Sequence, residues 1–153
     1  MGFGTLSLKG RALRLLAQRE HSRAELATKL ARHVQEGDDL NAVLDELQAK
    51  DFINAARVAE SLVHRRAARL GTQRLVHELR GKGLDDDLVR ATAERLRATE
   101  QERAQAVWRQ RFGRVATDAQ ERARQMRFLA ARGFAGDVVR RVVQCGSPDE
   151  EVE

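Results

Sequence analysis

One phrase is written three times along this chain, and that recurrence limits the fold more than any count of residue types. Ser22 to Gln48 reads SRAELATKLARHVQEGDDLNAVLDELQ, Val76 to Leu96 reads VHELRGKGLDDDLVRATAERL, and Met126 to Val143 reads MRFLAARGFAGDVVRRVV. With Leu30, Leu79 and Leu129 in register, the copies lie 49 and 50 residues apart, and the next apolar start follows at Leu40, Leu88 and Val138. A further helical segment precedes each copy: LSLKGRALRLLAQRE, NAARVAESLVHRRAARL and ERAQAVWRQRF. A unit of three helices that recurs at this period cannot bury its apolar face alone and stacks on its neighbours. The spacing predicts an all-α fold: an elongated, curved array of three tandem three-helix repeats, about nine helices. The repeats are expected over residues 1–50 with an N-terminal arm, 51–99 and 100–146, followed by an acidic tail over 147–153.

Local signals agree with helices. Ser22-Arg-Ala-Glu25 has the form of a capping box. Thr72 after Gly71, Asp85, and Thr117 or Asp118 are further candidate caps, and Gly81, Gly83, Gly113, Gly133 and Gly146 stand at expected helix ends. Leu40, Val43, Leu44 and Leu47 repeat at the spacing of one helix face, as do Val58, Leu62 and Val63. A single proline, Pro148, leaves the helical segments uninterrupted. Aromatics make up only 4% of the 153 residues, so Leu, Val and Ala must form the core. Trp108 and Phe112, at i and i+4, are expected to form a buried pair, although Trp108-Arg109-Gln110-Arg111-Phe112 also interleaves aromatics with arginine as a base-stacking surface would. Phe52, Phe128 and Phe134 sit in or beside apolar helical positions, and Phe3 falls in the N-terminal arm.

Charge is segregated. Residues 1–60 balance nine bases against nine acids, whereas 61–83 carry six bases against one acid and 101–143 carry ten against four. The last ten residues hold four acids and no base. Arginine supplies 24 of the 28 bases, and its planar fork suits phosphate and carboxylate partners. Arg65, Arg66 and Arg69 fall at i, i+1 and i+4 on one expected helix side, with Arg74 just beyond the turn. Arg109, Arg111 and Arg114 surround the corresponding helix end of the third repeat, and Arg140-Arg141 lies near its close. These nine arginines are the candidate nucleoprotein or DNA contacts, and their recurrence would build a basic stripe on a solenoid face.

Catalysis has little support. His21, His33, His64 and His77 form no HxxxH or HExxH pair, and His21, just before a predicted cap, reads as a packing or capping residue. Cys145 has no partner cysteine and reads as a passive thiol. Asp85, Asp86 and Asp87 suit helix capping and the helix dipole better than a metal. No phosphate-loop pattern occurs. The chain is expected to be non-enzymatic, with no catalytic residue, cofactor or metal. It is also expected to be cytoplasmic and monomeric, since it shows no signal-peptide pattern and no apolar run near the ~20 residues of a membrane span.

The order of REHSRAEL at Arg19–Leu26, VLDELQAKDFINAARVAESLV, HELRGKGLDDDLV and MRFLAARGFAGDVVRRVV resembles the bacterial RecX family, from about Leu8 to Val143. The resemblance implies a modulator of RecA that binds the RecA–DNA filament along its groove. Such a protein inhibits recombinase, ATPase and coprotease activities, acts in DNA repair and the SOS response, and also binds single- and double-stranded DNA weakly and without sequence preference. The first loop, HVQEGDDL, departs from the glycine-plus-aromatic pair seen in Arg132-Gly133-Phe134. Read without the family, a helix, a glycine turn and a second helix also describe a helix-turn-helix DNA-binding protein acting without RecA. Against that, LNAVLDELQ and DLVRATAERL lack the Asn, Gln or Arg starts that read base edges.

Overall fold

Residues 6–145 are described by the structure, a computed structural model. Phe3, Gly146 and the acidic segment 147–153 lie outside them. Nine α-helices run α1 Leu8–Gln18, α2 Arg23–Leu30, α3 Leu40–Ala49, α4 Ala55–Arg66, α5 Thr72–Gly81, α6 Asp86–Ala98, α7 Glu100–Arg111, α8 Ala119–Ala131 and α9 Gly136–Cys145. A short 3₁₀ turn, Ala31–His33, follows α2, and no strand occurs among the described residues.

The helices form three tandem units, α1–α3, α4–α6 and α7–α9, and among the described residues no apolar cluster joins one unit to another. Leu8, Ala12, Leu26, Leu30, Leu44, Leu47 and Ile53 make the first core. Two smaller clusters fill the second unit, one around Leu62, Leu79 and Val89 and one around Leu70, Leu75 and Leu96. Trp108, Leu129, Phe134 and the valines of α9 fill the third. α9 shows packing overriding propensity. Val138, Val139, Val142 and Val143 are β-branched and poor helix formers, yet all four are buried at i, i+1, i+4 and i+5. At roughly 1.5–3 kcal/mol per buried aliphatic side chain, that stripe holds the helix, and Arg140-Arg141 is left facing outward.

Most caps match the sequence. Ser22 and Glu25 form the reciprocal capping box, Asp85 accepts from the Asp87 N–H, and Asp118 accepts from the Glu121 N–H. Thr72 is not a cap: Gly71 holds the extended N-cap position, and Thr72 is the first helical residue. Asp118 rather than Thr117 caps α8. α4 stops at Arg66, so Arg69 stands in the turn that follows and not on the helix side shared by Arg65 and Arg66. Trp108 is buried, but Phe112 caps α7 half-buried and meets Phe128 edge-on, with ring centroids 5.4 Å apart. The indole N–H of Trp108 donates instead to Gln125 Oε1 at 2.9 Å.

The units join through one repeated seam, in which the start of a second helix receives the glycine turn of the next unit. Ser22 Oγ donates to the Lys82 carbonyl at 2.6 Å, and a Cβ built on Gly83 would lie 2.7 Å from that of Ala24. The corresponding positions in the next seam are Gly71, whose N–H donates to the Arg132 carbonyl at 2.8 Å, and Gln73, whose N–H donates to the Gly133 carbonyl at 3.2 Å. A Cβ on Gly71 would fall 2.2 Å from the Gly133 carbonyl carbon, and one on Gly133 2.4 Å from Arg74 Cβ. Gly83 and Gly133 also adopt positive φ, of 72° and 90°, a region costly to other residues.

Candidate nucleoprotein interface

Two side chains of α7 lock the second seam. Glu100 is buried and accepts the Thr72 N–H through Oε1 at 2.9 Å, which places a carboxylate at the positive end of α5. Arg103 donates through Nη1 to the Ala67 carbonyl at 3.0 Å and to the Leu70 carbonyl, and through Nη2 to the Leu96 carbonyl at 2.8 Å and to Thr72 Oγ1 at 3.2 Å. Part of the arginine excess of the third unit is therefore structural: Arg103 donates to carbonyls around the ends of α4 and α6. Charge counting along the chain cannot separate such a residue from a surface arginine.

This joint gathers basic groups from both units. Glu78 on α5 accepts from Arg66 Nη2 at 2.8 Å and lies 3.8 Å from Arg74 Nε, holding two candidate arginines together. Arg66, Arg69, Leu70 and Arg132 line a cleft of about 140 Å³. Arg66 Nε is buried in the cleft region and meets no acceptor among the described residues. Arg132 was not singled out by the sequence reading, yet it links the two basic runs. Its guanidinium lies 4.6 Å from the centre of the Phe128 ring. Arg111 stands over Phe128 at 5.4 Å and over Phe112 at 5.9 Å, and Arg124 over Phe112 at 5.8 Å. A basic and aromatic band thus runs from Arg74 through Arg66, Arg69 and Arg132 to Arg111 and Arg124.

The other candidates sit around or away from this band. Arg65 is exposed on α4, with Nε donating to the Ser61 carbonyl at 3.3 Å. Arg109 is exposed on α7, and Arg114 is exposed beyond Gly113; the Arg114 carbonyl accepts from Gln125 Nε2 at 3.0 Å. Arg140 and Arg141 are exposed on α9, and Arg141 donates to Gln101 Oε1 at 2.7 Å. With Arg80 and Arg97, Arg141 lines a different cleft between the second and third units, of about 770 Å³. Arg141 therefore does not share the cleft of Arg66 and Arg69. Arg132 stands alone in sequence and Arg124 belongs to the run Arg122, Arg124 and Arg127, and only the fold sets them over the Phe128 and Phe112 rings.

The first seam carries polar groups with shifted proton affinity. Burial opposes ionisation of Glu25, but hydrogen bonds from Arg19 and the Ser22 N–H, with Lys82 at 3.1 Å, outweigh it and hold the carboxyl at a pKa of about 2. His21 is 1% exposed, with Nδ1 3.0 Å from the Arg19 carbonyl and Nε2 3.1 Å from Lys29 Nζ. An Nδ1–H tautomer donates to the carbonyl and accepts from Lys29. Burial first, then the Arg19 and Lys29 charges, push the ring below its usual value, so it packs as a neutral imidazole. His64 and His77 are exposed and Cys145 is an exposed free thiol. Asp86 pairs with Arg90 on its own helix. Among the described residues no three His, Cys, Asp or Glu side chains are grouped to hold a metal, and no helix is long and apolar enough to cross a membrane.

Models of three successive domains of one family match the chain: the first three-helix domain of RecX over residues 9–47, the second over 54–92 and the third over 98–143. The chain belongs to the RecX family. The regulatory protein RecX of Leptothrix cholodnii is 52% identical over 146 residues, covering 95% of this chain and 93% of that protein. That of Ralstonia nicotianae is 51% identical over 139 residues, covering 91% and 87%. The crystal structure of RecX from Lactobacillus salivarius superposes with a TM-score of 0.73 at 20% identity, over 89% of this chain and 92% of that one. The RecX fold of three tandem three-helix domains is therefore that of this chain, and the chain is a member of a family of regulatory proteins.

Proposed function

We propose that this RecX-family chain binds the RecA–DNA filament and inhibits the recombinase, ATPase and coprotease activities of RecA, acting without catalysis of its own in DNA repair and the SOS response. It works as a cytoplasmic monomer that also binds single- and double-stranded DNA weakly and without sequence preference. Family membership supports the choice of RecA as partner. The observation that carries the surface is the cleft between the second and third units. There Arg66, Arg69 and Arg132 converge, and their planar forks suit the phosphate and carboxylate oxygens of a nucleoprotein. Arg65, Arg74, Arg109, Arg111, Arg114, Arg140 and Arg141 extend the field around it, and counterion release makes DNA binding salt-dependent.

The helix-turn-helix reading lacks support at the helix starts. Asp39 caps α3, Asp85 caps α6, and Asp137 lies in the first turn of α9. Each third helix would bring an acid to the groove it should read, where phosphates repel it. The test is RecA-catalysed ATP hydrolysis on single-stranded DNA with the chain added below RecA stoichiometry. The rate should fall progressively. A rate unchanged at a molar excess of the chain would overturn the proposal.

A further inference from the structure

The strongest concave basic site lies in the unit whose charge balances. A groove of about 520 Å³ opens between α1 and the α2 end, where Arg11 and Arg14 from α1 meet Lys29, Arg32 and His33. Among the described residues no carboxylate lines it; Asp38 borders an adjoining cleft, which it shares with Arg11, Arg32 and His33, and accepts the Gln35 N–H at 2.9 Å. The acids that cancel these bases in the sequence are spent elsewhere: Glu20 binds Arg57, Glu25 binds Arg19 and Lys82, and Asp45 binds Arg23. Folding therefore separates charges that the linear count averages to zero. The floor is apolar, built from Leu6, Leu15 and Leu30.

These features select a ligand class. Four arginine and lysine side chains call for several carboxylates or phosphates. The leucine floor calls for an aliphatic group among those anions, which a sugar–phosphate backbone does not offer. Among the described residues no Phe, Tyr or Trp ring lines the groove, unlike the Phe112–Phe128 pair elsewhere in the molecule, and the His33 imidazole there accepts from Arg32 Nε at 3.3 Å. We infer that this groove is a docking site for an acidic peptide segment carrying an aliphatic side chain among its carboxylates. The arginines hold the acids at the rim while the aliphatic group covers the leucines, so the apolar contact discriminates this ligand from a bare polyanion. The chain's own residues 147–153, SPDEEVE, have this composition, with Val152 among four acids, and supply a defined probe. The groove lies apart from the cleft of the second and third units and adds a second, chemically different contact to the filament-binding proposal.

The experiment uses the full chain with Asp149→Asn, Glu150→Gln, Glu151→Gln and Glu153→Gln, so that its own acids do not compete. A fluorescent SPDEEVE peptide is titrated with it, monitored by anisotropy. Saturable binding is expected. It should weaken at least tenfold with Arg14→Glu and Arg32→Glu, both exposed positions, at unchanged helicity. It should weaken at least threefold when the valine of the peptide becomes serine. No binding, or binding indifferent to either change, would overturn the inference. So would displacement of the peptide by a single-stranded oligonucleotide whose own binding disappears with the same two substitutions, because the groove would then be a nucleic-acid site.

Discussion

Val34 and Gly133 occupy corresponding positions in the first and third units and have opposite surroundings. Gly133 has φ +90°, and the α5 start packs so closely that an added Cβ would overlap Arg74. Val34 is 41% exposed. The difference lies in what each turn meets. The third unit's turn seats on the second unit and the second unit's turn, with Gly83, seats on the first, whereas the first unit's turn is exposed from Val34 to Asp39. That explains the departure of HVQEGDDL from the glycine-plus-aromatic pair. The glycine at this position is needed by the joint between units; in the exposed first turn a valine stands there and the positive φ moves to Gly37, at 88° with nothing within 4 Å of an added Cβ.

The comparison breaks if the two positions respond alike. Gly133→Ala and Gly71→Ala each force a Cβ into backbone, and each should cost at least ~3 kcal/mol in urea denaturation. Val34→Ala should cost less than ~0.5 kcal/mol in the same measurement. Similar losses at all three positions would show that the seam is not what fixes the glycines.

Removing the lock beside the glycines should rank next. Arg103→Ala removes the donor to the Ala67 and Leu70 carbonyls beyond α4 and one donor to the Leu96 carbonyl, with an expected loss of about 2–4 kcal/mol, whereas Arg140→Ala on the exposed face of α9 should stay within ~0.5 kcal/mol. Equal melting temperatures for the two variants would assign Arg103 to the surface and not to the joint.

The first seam is sharpened by pH. Glu25 has a folded pKa near 2, below its ordinary 4.5, so its stabilisation is complete above pH 4.5 and is lost as pH falls toward 2. It should amount to about 2 kcal/mol once partial solvent screening is allowed for. His21 is also depressed, from 6.5. Below pH 6.5 the unfolded chain takes up a proton that the folded chain refuses, so stability falls with pH from there toward the lowered folded value, by at most ~1.4 kcal/mol per pH unit. His21→Gln should flatten the upper window and Glu25→Gln chiefly the lower, the Glu25 charge being the smallest of the influences on His21, in denaturation midpoints taken from pH 7 to 3. A profile unchanged by both substitutions would remove these groups from the acid response.

Much of this architecture is legible in the sequence because repetition is a global signal: three leucines in register and the glycines after them fix helix number, order and most stops. The joints are not legible, since Gly71 reads as an ordinary helix stop until the neighbouring unit is seen against it. The proposed interface is legible only as segregated charge. Arg103 looks like any surface arginine and is structural, whereas Arg132 looks isolated and stands between Arg69 and the Phe128 ring. The groove of the first unit is hidden altogether, because several acids that cancel its bases in sequence pair elsewhere in space, Glu20 with Arg57, Glu25 with Arg19 and Lys82, and Asp45 with Arg23.

The most direct test of the proposed interface reverses charge where the seam joins the two basic runs. Arg65→Glu, Arg69→Glu and Arg132→Glu leave the backbone bonds of the joint in place and avoid Arg66, whose pairing with Glu78 is structural. The quantity is the concentration of the chain that halves RecA-catalysed ATP hydrolysis on single-stranded DNA, measured beside circular dichroism to show equal helicity. Charge-assisted contacts worth about 1.5–3 kcal/mol each, and incompletely additive, predict that this concentration rises at least ~10-fold. An unchanged half-inhibiting concentration at equal helicity would contradict the assignment of the cleft between the second and third units as the surface that meets the filament.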